Sequence, residues 1–154
     1  MKRLVFLTTA LLFAIFASAQ TDFSGSWKLN KSKSTLNDQF SMAPNEIIIE
    51  QDGNVLKVEK HSSFQGNDFT TNDEFTLDGK ECENEGWQGS KKKSTATWSG
   101  DKSMLTIKSK IPIQNGEEMS LTEVYKMDGG DMVLVAGASS SWGDMEETMV
   151  FSKQ

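Results

Sequence analysis

Residues 21–30 read TDFSGSWKLN. Phe23, Gly25, Trp27 and Leu29 alternate with Ser24, Ser26, Lys28 and Asn30, the period of two that marks a strand with one buried and one wet face. The pattern recurs along the chain. Apolar-polar alternation marks strands at 46–51, 54–64, 69–77, 81–86, 91–98, 103–113, 118–127, 132–139 and 145–153. Between them stand Asp52-Gly53, Asp78-Gly79, Gly100-Asp101, Asn115-Gly116, Asp128-Gly129-Gly130-Asp131 and Trp142-Gly143. Asx-Gly pairs tolerate the positive φ that tight hairpin turns require, so neighbours in sequence are expected to pair antiparallel.

The expected fold is all-β, an up-and-down antiparallel barrel of about 8–10 strands. A meander of this many amphipathic strands leaves two exposed edges unless the sheet closes on itself. Closure brings the first strand to the last, with Trp27 beside Phe151. Gly25 then lets the backbone bend while the indole stops that end of the barrel. The one longer link, 31–45, is expected to hold a short helix or 3₁₀ turn and to act as a flap.

Charge and apolar patterning set the register. Pairing Glu85 with Lys91 and Glu83 with Lys93 matches opposite charges across strands, worth about 0.2–1 kcal/mol per pair. Cys82, Asn84, Ser94, Ala96 and Trp98 then face inward. Ala96 is expected opposite Leu105, Met127 opposite Met132, Tyr125 opposite Leu134, Glu123 opposite Ala136 and Leu134 opposite Phe151. A two-residue turn at Asn115-Gly116 would turn Val124 inward instead of Leu121 and Tyr125, so a bulge or five-residue loop is expected there.

At this point FSGSWKLN resembles the opening strand of the calycins, in which lipocalins and fatty-acid-binding proteins begin with Gly-x-Trp. It resembles more closely the small exported bacterial lipocalin-like domains, whose last strands resemble TEVYKMDGGDMVLV and MVFSK here. The resemblance implies a lipocalin-like or fatty-acid-binding-protein-like barrel that binds a small apolar molecule. The chain departs from those families in detail. Its only arginine is Arg3, so it lacks the Arg-x-Tyr pair that holds a ligand carboxylate in fatty-acid-binding proteins. Residues 31–45 are short for their helix pair. The late arginine that packs over the tryptophan of lipocalins has only Lys153 or Lys126 to replace it.

The first nineteen residues carry the marks of a secretory leader: Lys2 and Arg3, an apolar run from Leu4 to Phe16, and Ala17-Ser18-Ala19 as a cleavage site. The expectation is a signal peptide at 1–19, a single barrel domain at 20–154, and a periplasmic or extracellular protein with no membrane span. The net charge is −6, and both leader cations fall outside the expected domain. With no basic stripe, nucleic acid is excluded as a partner. Lysines 91–93 are read as partners of the neighbouring ECENE carboxylates. The single Cys82 permits no internal disulfide and is read as a small buried hydrophobe. The single His61 excludes a multi-His zinc site and is read as an outer-face residue. GASSSWG lacks the spacing of a serine nucleophile, and Asp128 to Asp131 supply too few oxygens for calcium. No metal and no cofactor is expected.

The candidate ligand-binding residues are the inward walls Phe75, Trp98, Ile107, Leu121 and Leu134, with Glu123 and Tyr125 as polar groups among them. Glu123 and Asp73 fall on inward positions, where an unpaired carboxylate is costly. Either they line a wet cavity and orient a ligand head, or they pair with Lys60, Ser109 or strand backbone. The leading functional expectation is a non-enzymatic carrier of a small hydrophobic molecule. A solid barrel that binds a protein partner through Trp87 and Trp142 is the alternative. An isomerase- or cyclase-type enzyme using Glu123 and Tyr125 is the third.

Overall fold

A computed structural model describes residues 19–154. The expected leader, 1–19, lies outside the described residues except for Ala19. Ten strands form one sheet: β1 (Gly25–Leu29), β2 (Glu46–Asp52), β3 (Val55–Phe64), β4 (Asn67–Thr76), β5 (Glu81–Glu85), β6 (Lys91–Trp98), β7 (Met104–Pro112), β8 (Glu118–Asp128), β9 (Asp131–Ser140) and β10 (Gly143–Lys153). Their order is β4-β3-β2-β1-β10-β9-β8-β7-β6-β5, and every neighbouring pair is antiparallel. The first strand does meet the last, with Trp27 opposite Lys153 and Leu29 opposite Phe151.

The expected closure is incomplete: the ladder is interrupted between β4 and β5. Asn84 bridges this seam with its side chain. Its Oδ1 accepts from the Glu74 N–H at 2.8 Å, and its Nδ2 donates to the Glu74 carbonyl at 3.0 Å. The carboxamide thus replaces one peptide unit of a missing ladder. Asn84→Leu is expected to cost about 0.5–1.5 kcal/mol by removing these solvent-exposed hydrogen bonds, and to speed hydrogen exchange at the Glu74 amide. Asn84→Asp keeps the acceptor and is expected to protect that amide better than Leu does.

Register follows charge and apolar pattern at most positions. Glu85 pairs with Lys91, Glu83 with Lys93, Met127 with Met132, Tyr125 with Leu134 and Glu123 with Ala136. The expected five-residue loop separates Pro112 from Glu118, with Asn115 at φ 62° and Gly116 at φ 75°. Two pairings are displaced by two residues. Ala96 meets Ile107 rather than Leu105, because Asp101 holds a wider turn by accepting from the Ser99 hydroxyl (2.6 Å) and the Ser103 hydroxyl (2.8 Å). Leu134 meets Met149 rather than Phe151, because β9 turns into β10 through Ser141 and Trp142 alone. A shift of two preserves the inward face, so the same side chains reach the core.

The 31–45 link forms no helix; it begins with two successive i→i+3 turns, Lys33 N–H donating to the Asn30 carbonyl at 3.2 Å and Ser34 N–H to the Lys31 carbonyl at 3.3 Å. Thr35 bridges Thr148 of β10, and the buried Glu147 carboxylate accepts from the backbone N–H groups of Asn37 and Met42, each at 2.8 Å. A charged acceptor for two backbone donors substitutes for helical hydrogen bonds and folds the flap onto the barrel. Leu36, Met42 and Ala43 pack on the core beneath it.

One end of the barrel is corked. Phe23 and Trp27 are buried, and the Trp27 Nε1–H donates to the Phe23 carbonyl at 2.8 Å. The Phe23 ring stacks on Trp98 with centroids 6.0 Å apart and lies tilted at 6.0 Å from Tyr125. Gln51 holds the crossing segment by accepting from the Phe23 N–H and donating to the Thr21 carbonyl. Lys153 Nζ sits 5.4 Å over the Trp27 ring, a cation–π contact. Gly25, at φ +137°, lies where a Cβ would come within 2.9 Å of Lys153 Cε. Leu56, Phe75, Leu105, Ile107, Met132, Leu134 and Phe151 fill the space behind this cork.

Candidate functional site

The inward faces of β3, β4 and β8 open progressively toward the other end. On β4, Phe75 is 1% exposed and Asp73 6%, Thr71 is exposed and Phe69 is 48% exposed. On β8, Tyr125 and Glu123 are buried while Leu121 and Met119 are half-buried. On β3, Leu56 and Val58 are buried, Lys60 and Ser62 half-buried and Phe64 exposed. These side chains share one face of the sheet, because Leu56, Val58, Lys60 and Ser62 pair with Phe75, Asp73, Thr71 and Phe69. The barrel is therefore packed at the corked end and opens toward the flap end, which forms its mouth.

Charged side chains form the floor of that mouth. Lys60 Nζ donates to Glu123 Oε1 across the barrel from β3 to β8. The Tyr125 hydroxyl reaches the same carboxylate oxygen at 3.5 Å. Lys92 of β6 pairs with Asp73 of β4 at 2.5 Å, an ion pair that also crosses the seam. Below them the Ser94 and Ser109 hydroxyls meet at 2.7 Å. Buried pairs of this kind are costly to assemble, yet losing one partner is worse because the other charge is stranded.

Burial works against charge on Lys60, but the negative charges of Glu123 and its neighbours outweigh it and hold the ammonium protonated well above the ordinary lysine range. Burial, followed by the Glu123 charge, pushes the Tyr125 phenol above its ordinary value, with Lys60 opposing. The sign of the pH dependence follows. Unfolded tyrosine and lysine release their protons near about 10 and about 10.4, so at higher pH the folded chain binds more protons than the unfolded one. Stability is full below those values and falls as pH rises through them. Tyr125 is the only tyrosine, so phenolate absorbance reads this site alone. It is expected to rise together with the loss of β-sheet circular dichroism during alkaline titration; a rise while the sheet is intact would mean a solvated phenol.

Aromatic side chains rim the mouth. Phe40 of the flap meets Phe64 edge-on at 5.7 Å, and a cleft of about 270 Å³ runs between the flap and the end of β3, lined in part by Leu36, Phe40 and Phe64. Trp87 and Trp142, in the loops after β5 and β9, are 57% and 72% exposed at this same end.

The residues singled out from sequence divide between cork, floor and mouth. Phe75, Ile107, Tyr125 and Leu134 are buried in the packed end, and Trp98 is half-buried against Phe23. Glu123 belongs to the floor and Leu121 to the wall of the mouth. Gly25, Trp27, Phe151 and Lys153 meet where β1 joins β10. His61 lies half-exposed with Nε2 2.6 Å from Glu59. Cys82 is half-buried on the inner face, its Sγ donating to the Ser94 carbonyl at 3.4 Å. Lys91 and Lys93 do bridge the carboxylates of β5, reaching Glu83 and Glu81. Lys92 departs from the expected pairing with the ECENE carboxylates: it turns inward to Asp73, and the inward Glu147 is a residue that the sequence reading does not single out. The signal was parity: Lys92 shares a face with Ser94 and Ala96, and Glu147 with Met149 and Phe151. Among the described residues, no group of three or more His, Cys, Asp or Glu side chains converges as metal ligands would.

No protein-family model matches the chain, and no curated protein is a significant match to its sequence. Solved structures match its fold. Zebrafish ileal bile acid-binding protein in complex with cholic acid aligns over 86% of this chain and 98% of its own, with a TM-score of 0.59 and 19% identity. Apo lipid binding protein 8 of Caenorhabditis elegans aligns over 86% of this chain and 95% of its own, with a TM-score of 0.59 and 14% identity. At such identities the likeness is one of fold.

Proposed function

We propose that this chain is a non-enzymatic carrier of a small hydrophobic molecule, which enters the mouth at the flap end. The observation that carries the reading is the one-sided opening of the barrel: a stopped apolar end and, opposite it, an end where the inward Leu121 and Met119 are half-buried and Phe69 is exposed. The two solved barrels of the same layout, named for bile acid and lipid binding, support it. The raised phenol of Tyr125 and the salt-bridged state of Glu123 argue against acid–base chemistry at neutral pH. The leader-like residues 1–19 support an exported, periplasmic or extracellular carrier of the lipocalin-like kind.

Titration with Nile red, a neutral dye that brightens in apolar surroundings, tests this reading. Saturable binding is expected, with affinity lowered at least about tenfold in Leu121→Lys, which places a charge on the apolar wall. Absence of saturable binding, or full affinity in Leu121→Lys, would overturn it. A second reading rests on the exposure of Trp87 and Trp142, because exposed tryptophans serve as anchors at protein interfaces. On that reading Trp87→Ala/Trp142→Ala abolishes capture of a protein partner while leaving dye binding intact.

A further inference from the structure

We infer that the cup selects an uncharged, hydroxyl-bearing amphiphile over a carboxylate of the same chain length; this rests on the carrier reading above. The floor is a row of four charges of alternating sign, Glu123 on β8, Lys60 on β3, Asp73 on β4 and Lys92 on β6. Asp73 lies diagonal to Lys60 on the same face, two residues from Thr71, the cross-strand partner of Lys60, so the two ion pairs are neighbours and their net charge is zero. No arginine occurs among the described residues. Lys60 and Lys92 are therefore the cations at hand for an anionic head in the cup, and each already holds a carboxylate of the chain.

A ligand carboxylate that took Lys60 would have to displace Glu123 and strand it at 4% exposure, which is the costly way to break a buried pair. The neutral row also provides no net attraction to draw an anion in. A hydroxyl head needs no displacement. Asp73 Oδ1 is fully buried against Lys92, so the group of the floor that a ligand head meets is the Lys60 ammonium, whose side chain is 16% exposed. A ligand hydroxyl that accepts from a spare Lys60 N–H adds a bond without removing one. The exposed Thr71 hydroxyl, inward beside Lys60, provides a further partner.

Competition of decanol and decanoate against Nile red at neutral pH tests the inference. The unmodified protein is expected to hold decanol at least about tenfold more tightly than decanoate. Glu123→Gln, which leaves Lys60 without its carboxylate, is expected to reverse that order. Asp73→Asn is expected to raise decanoate affinity in the same direction through Lys92, and it carries the test should Glu123→Gln fail to fold. Equal or tighter decanoate binding by the unmodified protein overturns the inference and leaves the carrier reading standing. So does an order unchanged in folded Glu123→Gln or, where that variant does not fold, a decanoate affinity that does not rise in Asp73→Asn. Binding of none of the three compounds overturns both.

Discussion

Lys60→Met is expected to destabilise the fold by about 3–5 kcal/mol, because it removes the partner of a buried carboxylate and leaves that charge in the barrel interior. Met preserves most of the volume of the lysine stem, so little of the loss comes from packing. Chemical denaturation of both proteins measures it as a lower urea midpoint with an unchanged slope. The double variant Lys60→Met/Glu123→Leu separates charge from shape. With both charges gone no group is stranded, and stability is expected to return to within about 1 kcal/mol of the unmodified chain or to exceed it. A single variant as stable as the parent would mean that the pair is solvated, and that the floor is not a floor.

Trp27→Ala is the second large effect, with an expected loss of about 3–5 kcal/mol. The indole is buried, and it joins three parts of the molecule: the Phe23 carbonyl through its N–H, the Lys153 ammonium over its face, and the β1–β10 junction through its backbone. Trp27→Phe retains a ring for Lys153 and for the core but loses the N–H donor. Its cost is expected to be clearly smaller, about 1–2 kcal/mol, from the unpaired Phe23 carbonyl and the reduced volume. Hydrogen exchange at Asn30 and Gln154, whose amides donate to the Val150 and Ser26 carbonyls across the β1–β10 junction, locates the damage: both are expected to open in Trp27→Ala before those of β6 and β7. Uniform loss of protection instead would show that the junction of first and last strands is not the weak point the cork protects.

Much of this architecture is legible in the residues. Alternation in TDFSGSWKLN and in MEETMVFSK places Trp27 and Phe151 on one face, and the Asx-Gly turns force neighbouring strands together. The seam is not legible, because a carboxamide bridging two backbone groups leaves no pattern in a sequence; Asn84 looks like any inward polar residue. The two displaced pairings share a cause. Turn length depends on how side chains such as Asp101 satisfy the turn backbone, and a Gly-Asp pair does not fix it. Glu123 is conspicuous as a carboxylate within apolar alternation, and Lys60 is among its evident partners. Lys92 is hidden inside a run of three lysines that reads as a solvated face, although its parity with Ser94 and Ala96 sends it inward. The opening of the cup is the least legible feature. It arises from where each strand ends relative to its neighbours, so identical inward positions on β4 are packed at Phe75 and open at Phe69.

The claim on which the functional account rests is that small amphiphiles occupy the mouth and leave the corked end untouched. Four methionines report on the two regions directly. Met119 and Met145 are half-buried on the inward face at the mouth, while Met132 and Met149 are buried in the packed core. Methyl resonances of labelled methionine, followed while decanol is titrated, are expected to shift for Met119 and Met145 and to hold still for Met132. Shifts at Met132 and Met149 with Met119 and Met145 unmoved would place the ligand in the core and contradict the account, as would a titration in which no methyl moves.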